Sequence, residues 1–369
     1  MESFDVIIVG GGPSGSTCGW KLRLAGKHTL IIDCKIFPRD KPCAGWITPQ
    51  VIPLLKLDVR EYSSAYTWQP ITGFRCGVIG GTDILIDYKK PVSFGIRRSE
   101  FDHYLLNRSG SEKRLNEKVD RIERVGGEWV INNKYRAPML VGAGGTNCPI
   151  ARMLSGTRKE KGSTVVAQEV EFKIDEAVSD CGVTGDIPSL YFCPDFRGYG
   201  WCFRKGNYLN IGLGRTDARN FTNHVSQFQA FLGKREIPYQ DVRYPWKGHS
   251  YQLRALPERK LTAEGVLLLG DAAGLADAIS GEGIRPAIES GLIAAELISD
   301  ANGNYQAEYL AKYEPLLKCR IGKRSRPGVL NQLPASWIAT GANWLLASRW
   351  FSRNVLLDRW FLHRFEKVP

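Results

Sequence analysis

Gly10, Gly12 and Gly15, with Pro13 and Ser14 among them, and Asp33 eighteen residues beyond Gly15 have a spacing that points to chemistry. That chemistry is the binding of a dinucleotide. Gly10 sits where a tight turn is needed, and Gly12 where a pyrophosphate must approach bare backbone. Gly15 sits where helix and strand pack closely, and Asp33 is placed to accept hydrogen bonds from ribose hydroxyls. The elements that must position them are legible around them. The apolar, β-branched run from Phe4 to Val9 predicts a strand, the residues through Leu24 a helix, and Thr29-Leu30-Ile31-Ile32 a second strand ending on the acid. The helix N-terminus then faces the phosphates. A glycine turn alone is common, but here strand, turn, helix, strand and acid follow in order.

The fingerprint does not separate NAD from FAD, and a second segment does. Gly265-Val266-Leu267-Leu268-Leu269-Gly270-Asp271 is a buried strand ending in a Gly-Asp turn. Gly281, Glu282 and Gly283 follow, and a helix is predicted over 284–298, beginning at Ile284. An aspartate at such a strand end can bind a polyol hydroxyl, and the helix N-terminus can stabilise negative charge on a reduced isoalloxazine. A nicotinamide cofactor has no ribityl chain needing that contact, so FAD is the expected cofactor.

At this point the chain resembles the flavoproteins of the para-hydroxybenzoate hydroxylase fold and, within them, the geranylgeranyl reductase family, over about residues 3 to 300. The segment from Phe37 through Arg39, Asp40, Lys41, Pro42, Cys43, Ala44, Gly45 and Trp46 is similar to the family's PRxKxCGG stretch beside the flavin. Arg98-Ser99-Glu100-Phe101-Asp102 resembles the RxxFD motif, whose arginine lies near the FAD. Arg98 and Asp102 also stand four apart on one helical face, and an ion pair between them is the plain reading of Asp102. Val141-Gly142-Ala143-Gly144-Gly145 is similar to a GADG segment, but Gly144 stands where the family's aspartate helps to dock cofactor or nicotinamide. The electron donor is accordingly left open among NAD(P)H, a reduced flavin and an acidic ferredoxin.

Gly198-Tyr199-Gly200-Trp201-Cys202-Phe203-Arg204-Lys205-Gly206 and then Asn210-Ile211-Gly212-Leu213-Gly214 resemble the reductases' GYxWxFPKG and NxGxG pair, with Arg204 and Ala278 replacing family prolines. Alternation across Trp201, Phe203, Leu209, Ile211 and Leu213 predicts a hairpin carrying these groups on one side. That side is either the wall of an apolar tunnel, with Trp46, Tyr199, Trp201 and Phe203 meeting substrate, or plain sheet core. The resemblance implies stepwise reduction of isolated C=C bonds in a polyprenyl chain, with hydride from flavin N5. An unactivated alkene offers no oxygen to polarise, so positioning and a proton source are what the protein must supply. Cys43 is the candidate source, and a small buried hydrophobe is its other reading. An oxygen-using monooxygenase or halogenase of the same fold, on an aromatic or polyketide ring, is the rival activity, because Arg97, Arg98 and the Gly-Asp turn serve both. A redox-neutral flavin protein on a membrane is the rival of another class.

The rest of the chain sets bounds. Of 369 residues, 43% are hydrophobic and 24% charged, the profile of a protein with a sizeable core. Nine cysteines without CxxC pairs, and five histidines without HExxH spacing, give no expectation of a disulfide framework or a metal site. A reducing compartment follows, and with acidic Glu2 and Asp5 ahead of the first strand no signal peptide is expected, which predicts a cytoplasmic protein. A net charge of +12 favours an anionic contact. Nucleic acid is not expected, since no recognised module appears. Beyond Asp300, Lys318, Arg320, Lys323, Arg324 and Arg326 form a basic cluster, and the stretch 327–348 is uncharged but too polar for a spanning helix. Trp337, Trp344 and Phe351 recur every seven residues, and Trp350, Trp360 and Phe361 alternate with Arg349, Arg353, Arg359 and Arg364. This predicts an amphipathic helix in a membrane interface, with a subdomain packing its aromatics on the core as the alternative.

The expected architecture is α/β: a Rossmann-type FAD-binding domain (1–60, 90–155 and 255–305), an inserted antiparallel β-sheet substrate domain (61–89 and 156–254) and a helical C-terminal cap (306–369).

Overall fold

Val6–Val9 is apolar at every position and buried at every position, as befits a parallel strand covered on both faces. It lies inside a six-stranded sheet ordered Thr262–Ala263, Val266–Leu268, Met139–Gly142, Val6–Val9, Thr29–Asp33, Glu112–Leu115. All neighbours are parallel except the first pair. The computed structural model describes residues 1–155, 164–174, 182–235, 237, 245–254, 259–322, 341 and 344–365. The chain divides into two units, and the first comprises Met1–Asp40, Ser99–Ser163 and Tyr251–Arg326.

In this first unit the helix Pro13–Leu24 follows the glycine turn and packs on the long helix Ile284–Asp300. A methyl group placed on Gly291 would lie 2.5 Å from the Ser14 carbonyl oxygen, so the two backbones run in near contact. A second, four-stranded sheet is ordered Glu2–Ser3, Tyr135–Ala137, Glu128–Ile131, Ile122–Val125. Leu310, Tyr313 and Leu317, from the helices Ala307–Leu310 and Tyr313–Ile321, complete the unit's core.

The second unit comprises Lys41–Arg98, Thr164–Ser250 and Pro327–Pro369. Its sheet is ordered Lys247–Gln252, Thr164–Lys173, Tyr208–Arg215, Gly198–Lys205, Ser189–Phe192, Gly73–Val78, Asp83–Asp87. One face is covered by the helix Phe221–Gly233 through Val225 and Phe228. The other carries Phe74, Leu190, Trp201 and Phe203, together with Leu356, Leu357 and Phe361 from the π-helix Ser352–Phe361.

Four expectations are corrected. The division falls at different residues: 41–60 and 90–98 belong to the second unit, because Trp46–Ile47 and Gln69–Ile71 both pair with Ser93–Gly95. The inserted sheet is not wholly antiparallel, since Ser189–Phe192 runs parallel to Gly73–Val78. The helical tail is not one cap: the described helices through Ile321 are core of the first unit, whereas Ser352–Phe361 is core of the second.

The fourth correction concerns the hairpin. Lys205 pairs with Tyr208 across a two-residue turn, which sets Trp201 opposite Gly212 and Phe203 opposite Asn210. Odd positions on the first strand therefore share a face with even positions on the second. Trp201 and Phe203 lie on one face, and Leu209, Ile211 and Leu213 on the other, against Val225 and Phe228.

Candidate functional site

In the first unit the glycine turn is made of close approaches. Gly10 has φ +117°, and a methyl group there would sit 2.3 Å from the Ala143 carbonyl oxygen. At Gly15 the same addition would lie 2.0 Å from the Gly10 carbonyl oxygen, so neither position admits a side chain. Asp33 braces this turn: one carboxylate oxygen accepts from the Gly11 N–H at 2.8 Å and the other from the Lys35 N–H at 2.9 Å. Gly12 caps the helix Pro13–Leu24 with no side-chain cap bond and no acid in the first turn. Its amides and dipole end are left for an anion.

Among the described residues the Arg39 guanidinium comes nearest the bare side of Gly12, 3.4 Å from where a methyl group would stand. Arg39 lies over the Phe37 ring and pairs with fully buried Asp102 at 3.3 Å. Asp102 therefore serves to hold Arg39 at the turn, a partner that the four-residue spacing from Arg98 did not suggest.

The second glycine segment meets the first within the same unit. Gly270, at φ +54°, donates its N–H to Ser290 Oγ at 3.1 Å, and a methyl group placed on it would lie 3.0 Å from the Ser14 hydroxyl. Asp271 lies beside Gly283, which begins the helix Ile284–Asp300 without a side-chain cap. Gly281, at φ +71°, abuts the Tyr251 hydroxyl. The unit thus offers two uncapped helix starts, each among glycines, with a guanidinium at one and a carboxylate at the other. This donor set fits a dinucleotide carrying a diphosphate and a polyol.

In the second unit Cys43, Ala44 and Trp46 gather against the sheet, while Arg98, buried, opens the helix Arg98–Arg108. The Cys43 thiol accepts from the Gly45 N–H at 3.4 Å, and the Cys43 carbonyl accepts from the Asn210 amide at 3.4 Å. Trp46 is in an aromatic cluster, 5.0 Å from Phe74, 5.6 Å from Phe203 and stacked 5.6 Å from Phe361. Its buried indole N–H has no partner among the described residues. Tyr199 packs edge-on to Phe361 at 5.4 Å.

Beside this aromatic area the same sheet face carries a charged strip. Register places Glu169, Gly212 and Trp201 in one row, and Glu171, Asn210 and Phe203 in the next. Trp201 lies flat over Gly212, where any side chain would strike the indole ring at 2.2 Å. The Trp201 indole donates to the Asn210 side-chain oxygen at 2.7 Å, which turns the amide NH2 toward Glu169, at 3.3 Å, and Glu171, at 3.4 Å. Lys205 has no exposed side-chain surface and reaches Glu171 at 2.5 Å and the Ala44 carbonyl at 3.1 Å. Arg97 also pairs with Glu171, at 3.0 Å, and lies over the Tyr208 ring.

The two carboxylates are driven apart. Burial pushes Glu169 up to about 7, with Glu171 reinforcing and the Cys43 N–H and Lys205 opposing. Burial raises Glu171 too, but Lys205 and Arg97 outweigh it and hold it below the usual range. Near neutrality Glu171 is therefore ionised while Glu169 holds a proton for a substantial share of the time.

Sequence reasoning named Lys205 and Asn210 only as motif letters, missed Glu169 and Glu171, and read Phe361 only as part of the aromatic tail. The available signal was Ala167-Gln168-Glu169-Val170-Glu171, where acids occupy alternate positions of a strand otherwise rich in core residues. In the tail, Trp344 and Trp350 are 76% and 69% exposed, whereas Phe361 is buried. Trp337, Lys323, Arg324, Arg326 and most of the uncharged stretch lie outside the described residues. No helix among the described residues is long and apolar enough to cross a membrane, and no group of three or more potential metal ligands occurs there.

No family model matches the chain. A menaquinone reductase of Mycobacterium tuberculosis is 30% identical over 327 residues, 80% of this chain and 77% of the relative. The chain belongs to the geranylgeranyl reductase family of flavoproteins. Another relative of this geranylgeranyl reductase family member, a digeranylgeranylglycerophospholipid reductase of Methanococcus vannielii, is 25% identical over 341 residues, covering 85% and 82% of the two chains. A geranylgeranyl bacteriochlorophyll reductase-like protein of Thermoplasma acidophilum shares the fold at TM-score 0.76 and 20% identity, over the full length of both chains. A flavin-dependent brominase shares it at TM-score 0.71 and 18% identity, over 97% and 92%. The family member is thus an FAD-dependent oxidoreductase, and its fold is the Rossmann-type FAD-binding one that the glycine spacing implied.

Proposed function

We propose that this reductase saturates isolated C=C bonds in a polyprenyl lipid of the geranylgeranyl type. The observation that carries the reading is the sheet face on which Trp201 and Phe203, with Trp46 packed against Phe203, adjoin a charged strip. An alkene has no dipole for the protein to grip, so an aromatic wall supplies shape and excludes water, and one polar edge supplies the proton. The reduced FAD supplies hydride from N5. On the first unit, the amides at Gly12 and the Arg39 guanidinium hold the diphosphate, and Asp271 holds the ribityl hydroxyls. By the family resemblance, Cys43, Ala44 and Arg98 of the second unit would contribute to flavin binding, and Trp46, Tyr199, Trp201 and Phe203 would line the prenyl chain.

A lipophilic substrate fits the names of the two relatives above. The donor is NAD(P)H, a reduced flavin or a ferredoxin, and a net charge of +12 favours an acidic ferredoxin. Exposed Trp344 and Trp350, flanked by Arg349 and Arg353, would rest on an anionic membrane surface from which the lipid is taken.

The likeness to a brominase keeps oxygen chemistry as the second reading. One experiment separates the two. The flavin is reduced anaerobically with a chemical donor and then offered a geranylgeranyl lipid or oxygen. Reoxidation by the lipid, with two hydrogens gained in the product, supports the reductase. Inertness toward the lipid, with a stable oxygen adduct, replaces it with the monooxygenase or halogenase.

A further inference from the structure

We infer that Glu169 is the proton donor of the reduction, held in place by Asn210, the Cys43 backbone and Trp201. This deepens the polyprenyl reductase reading and rests on it. Glu169 projects from a sheet strand onto the face that carries the aromatic wall, in the same row as Trp201. It is almost wholly buried, and its partners leave it little choice of position. The Asn210 amide and the Cys43 N–H both donate to it. The Trp201 indole fixes the amide so that the NH2 cannot turn away.

Among the described residues the charged groups acting on it are Glu171 on its own strand and Lys205 on the hairpin, and Arg97 pairs with Glu171. Both cations have Glu171 as their partner, so the ionised member of the pair absorbs their charge. Glu169 is thereby left as an acid with a proton to give near neutral pH, while Glu171 is not.

The step balances. As hydride from the reduced flavin forms one C–H bond, the Glu169 O–H bond breaks and its proton forms the other. The π pair of the alkene becomes that second C–H bond pair, two electrons pass from flavin to lipid, and the carboxylate regains a proton from solvent. Cys43 keeps its place beside Glu169 through its N–H, and its thiol is not consumed.

The test compares wild type, Glu169→Gln and Glu169→Asp. Infrared titration of the protein without cofactor should show a protonated carboxyl that disappears as pH rises through about 7 and is missing from Glu169→Gln. In single turnover, reoxidation of reduced flavin by the lipid should slow at least about 100-fold in Glu169→Gln. The Asp variant should recover part of the rate with a displaced pH profile, and wild type should slow above neutrality as the acid form is lost. A purely structural Glu169 would leave that pH profile where it is. The donor role is overturned if no such carboxyl titrates in wild type, or if Glu169→Gln turns over within about threefold of it with the same pH dependence. Should Glu169→Gln not fold, the infrared titration and pH profile of wild type decide alone. If wild type titrates as described yet its flavin is inert to the lipid, the reductase reading has failed and the donor role fails with it. If the lipid reoxidises wild type but the variant matches it, only the donor role falls.

Discussion

Around Gly10, Gly12 and Gly15 the first unit makes room by leaving side chains out, whereas the second unit crowds Glu169, Glu171, Asn210 and Lys205 onto one strip of sheet. The cradle gets its chemistry from backbone amides and a helix dipole, which every sequence possesses once the backbone can be approached. The strip gets its chemistry from burial, which costs free energy unless each charge and amide finds a partner. Added volume is therefore the sharpest probe of the backbone site, and pH the sharpest probe of the side-chain strip.

Adding volume to the cradle tests the first half of that contrast most severely. Gly10→Val combines a positive φ with a collision against the Ala143 carbonyl, and flavin content of the purified protein should fall at least about tenfold. Retention of FAD would show that the turn does not hold the cofactor. In the second unit the matching insult is removal of volume. Phe361→Ala deletes the ring against which Trp46 and Tyr199 pack, and should cost about 3–5 kcal/mol in chemical denaturation.

The pH half of the comparison is read from Glu169. Its folded-state value is raised from 4.5 to about 7, so the stability it contributes is fully present below pH 4.5 and is lost as pH rises through 7. The loss is on the order of 3 kcal/mol at 1.36 kcal/mol per pH unit. Glu169→Gln should accordingly flatten the fall in stability between pH 5 and 8, measured by denaturant midpoints across that range. An unchanged slope would mean that Glu169 is not the group responsible.

Smaller effects sharpen the boundary between the regions. Arg39→Met removes the guanidinium beside Gly12 and should weaken FAD roughly tenfold, or about 1.4 kcal/mol, in a fluorescence titration. Trp344→Ala with Trp350→Ala touches neither region. It should leave stability within about 0.5 kcal/mol while reducing binding to anionic vesicles several-fold.

The contrast also explains what was legible. Glycine spacing, the run Val6–Val9 and Asp33 are local signals, and the cradle could be read from them before any contact was known. Asp33 was singled out at the strand end as an acceptor for ribose hydroxyls, whereas its bonds to the Gly11 and Lys35 amides needed coordinates. The strip was not legible because its members meet only through register. Glu169 and Asn210 are separated by 41 residues, and a two-residue turn decides that Trp201 and Asn210 share a face. Counting parity across that turn would have separated Trp201 from Ile211. Domain limits failed for a related reason: Trp46–Ile47 belongs with Ser93–Gly95, a pairing with no mark in either segment.

The interleaved path of the chain has a consequence for its birth on the ribosome. Val6–Val9 is made well before its neighbour Met139–Gly142 and that strand's neighbour Val266–Leu268, and the helix Ile284–Asp300 that covers Pro13–Leu24 comes later still. Until translation has passed Asp300, the nascent chain carries bare apolar strands with unpaired edges. Stalled chains ending near residue 250 should therefore be chaperone clients, and the completed polypeptide should shed its chaperone as the last strand of the parallel sheet slots in.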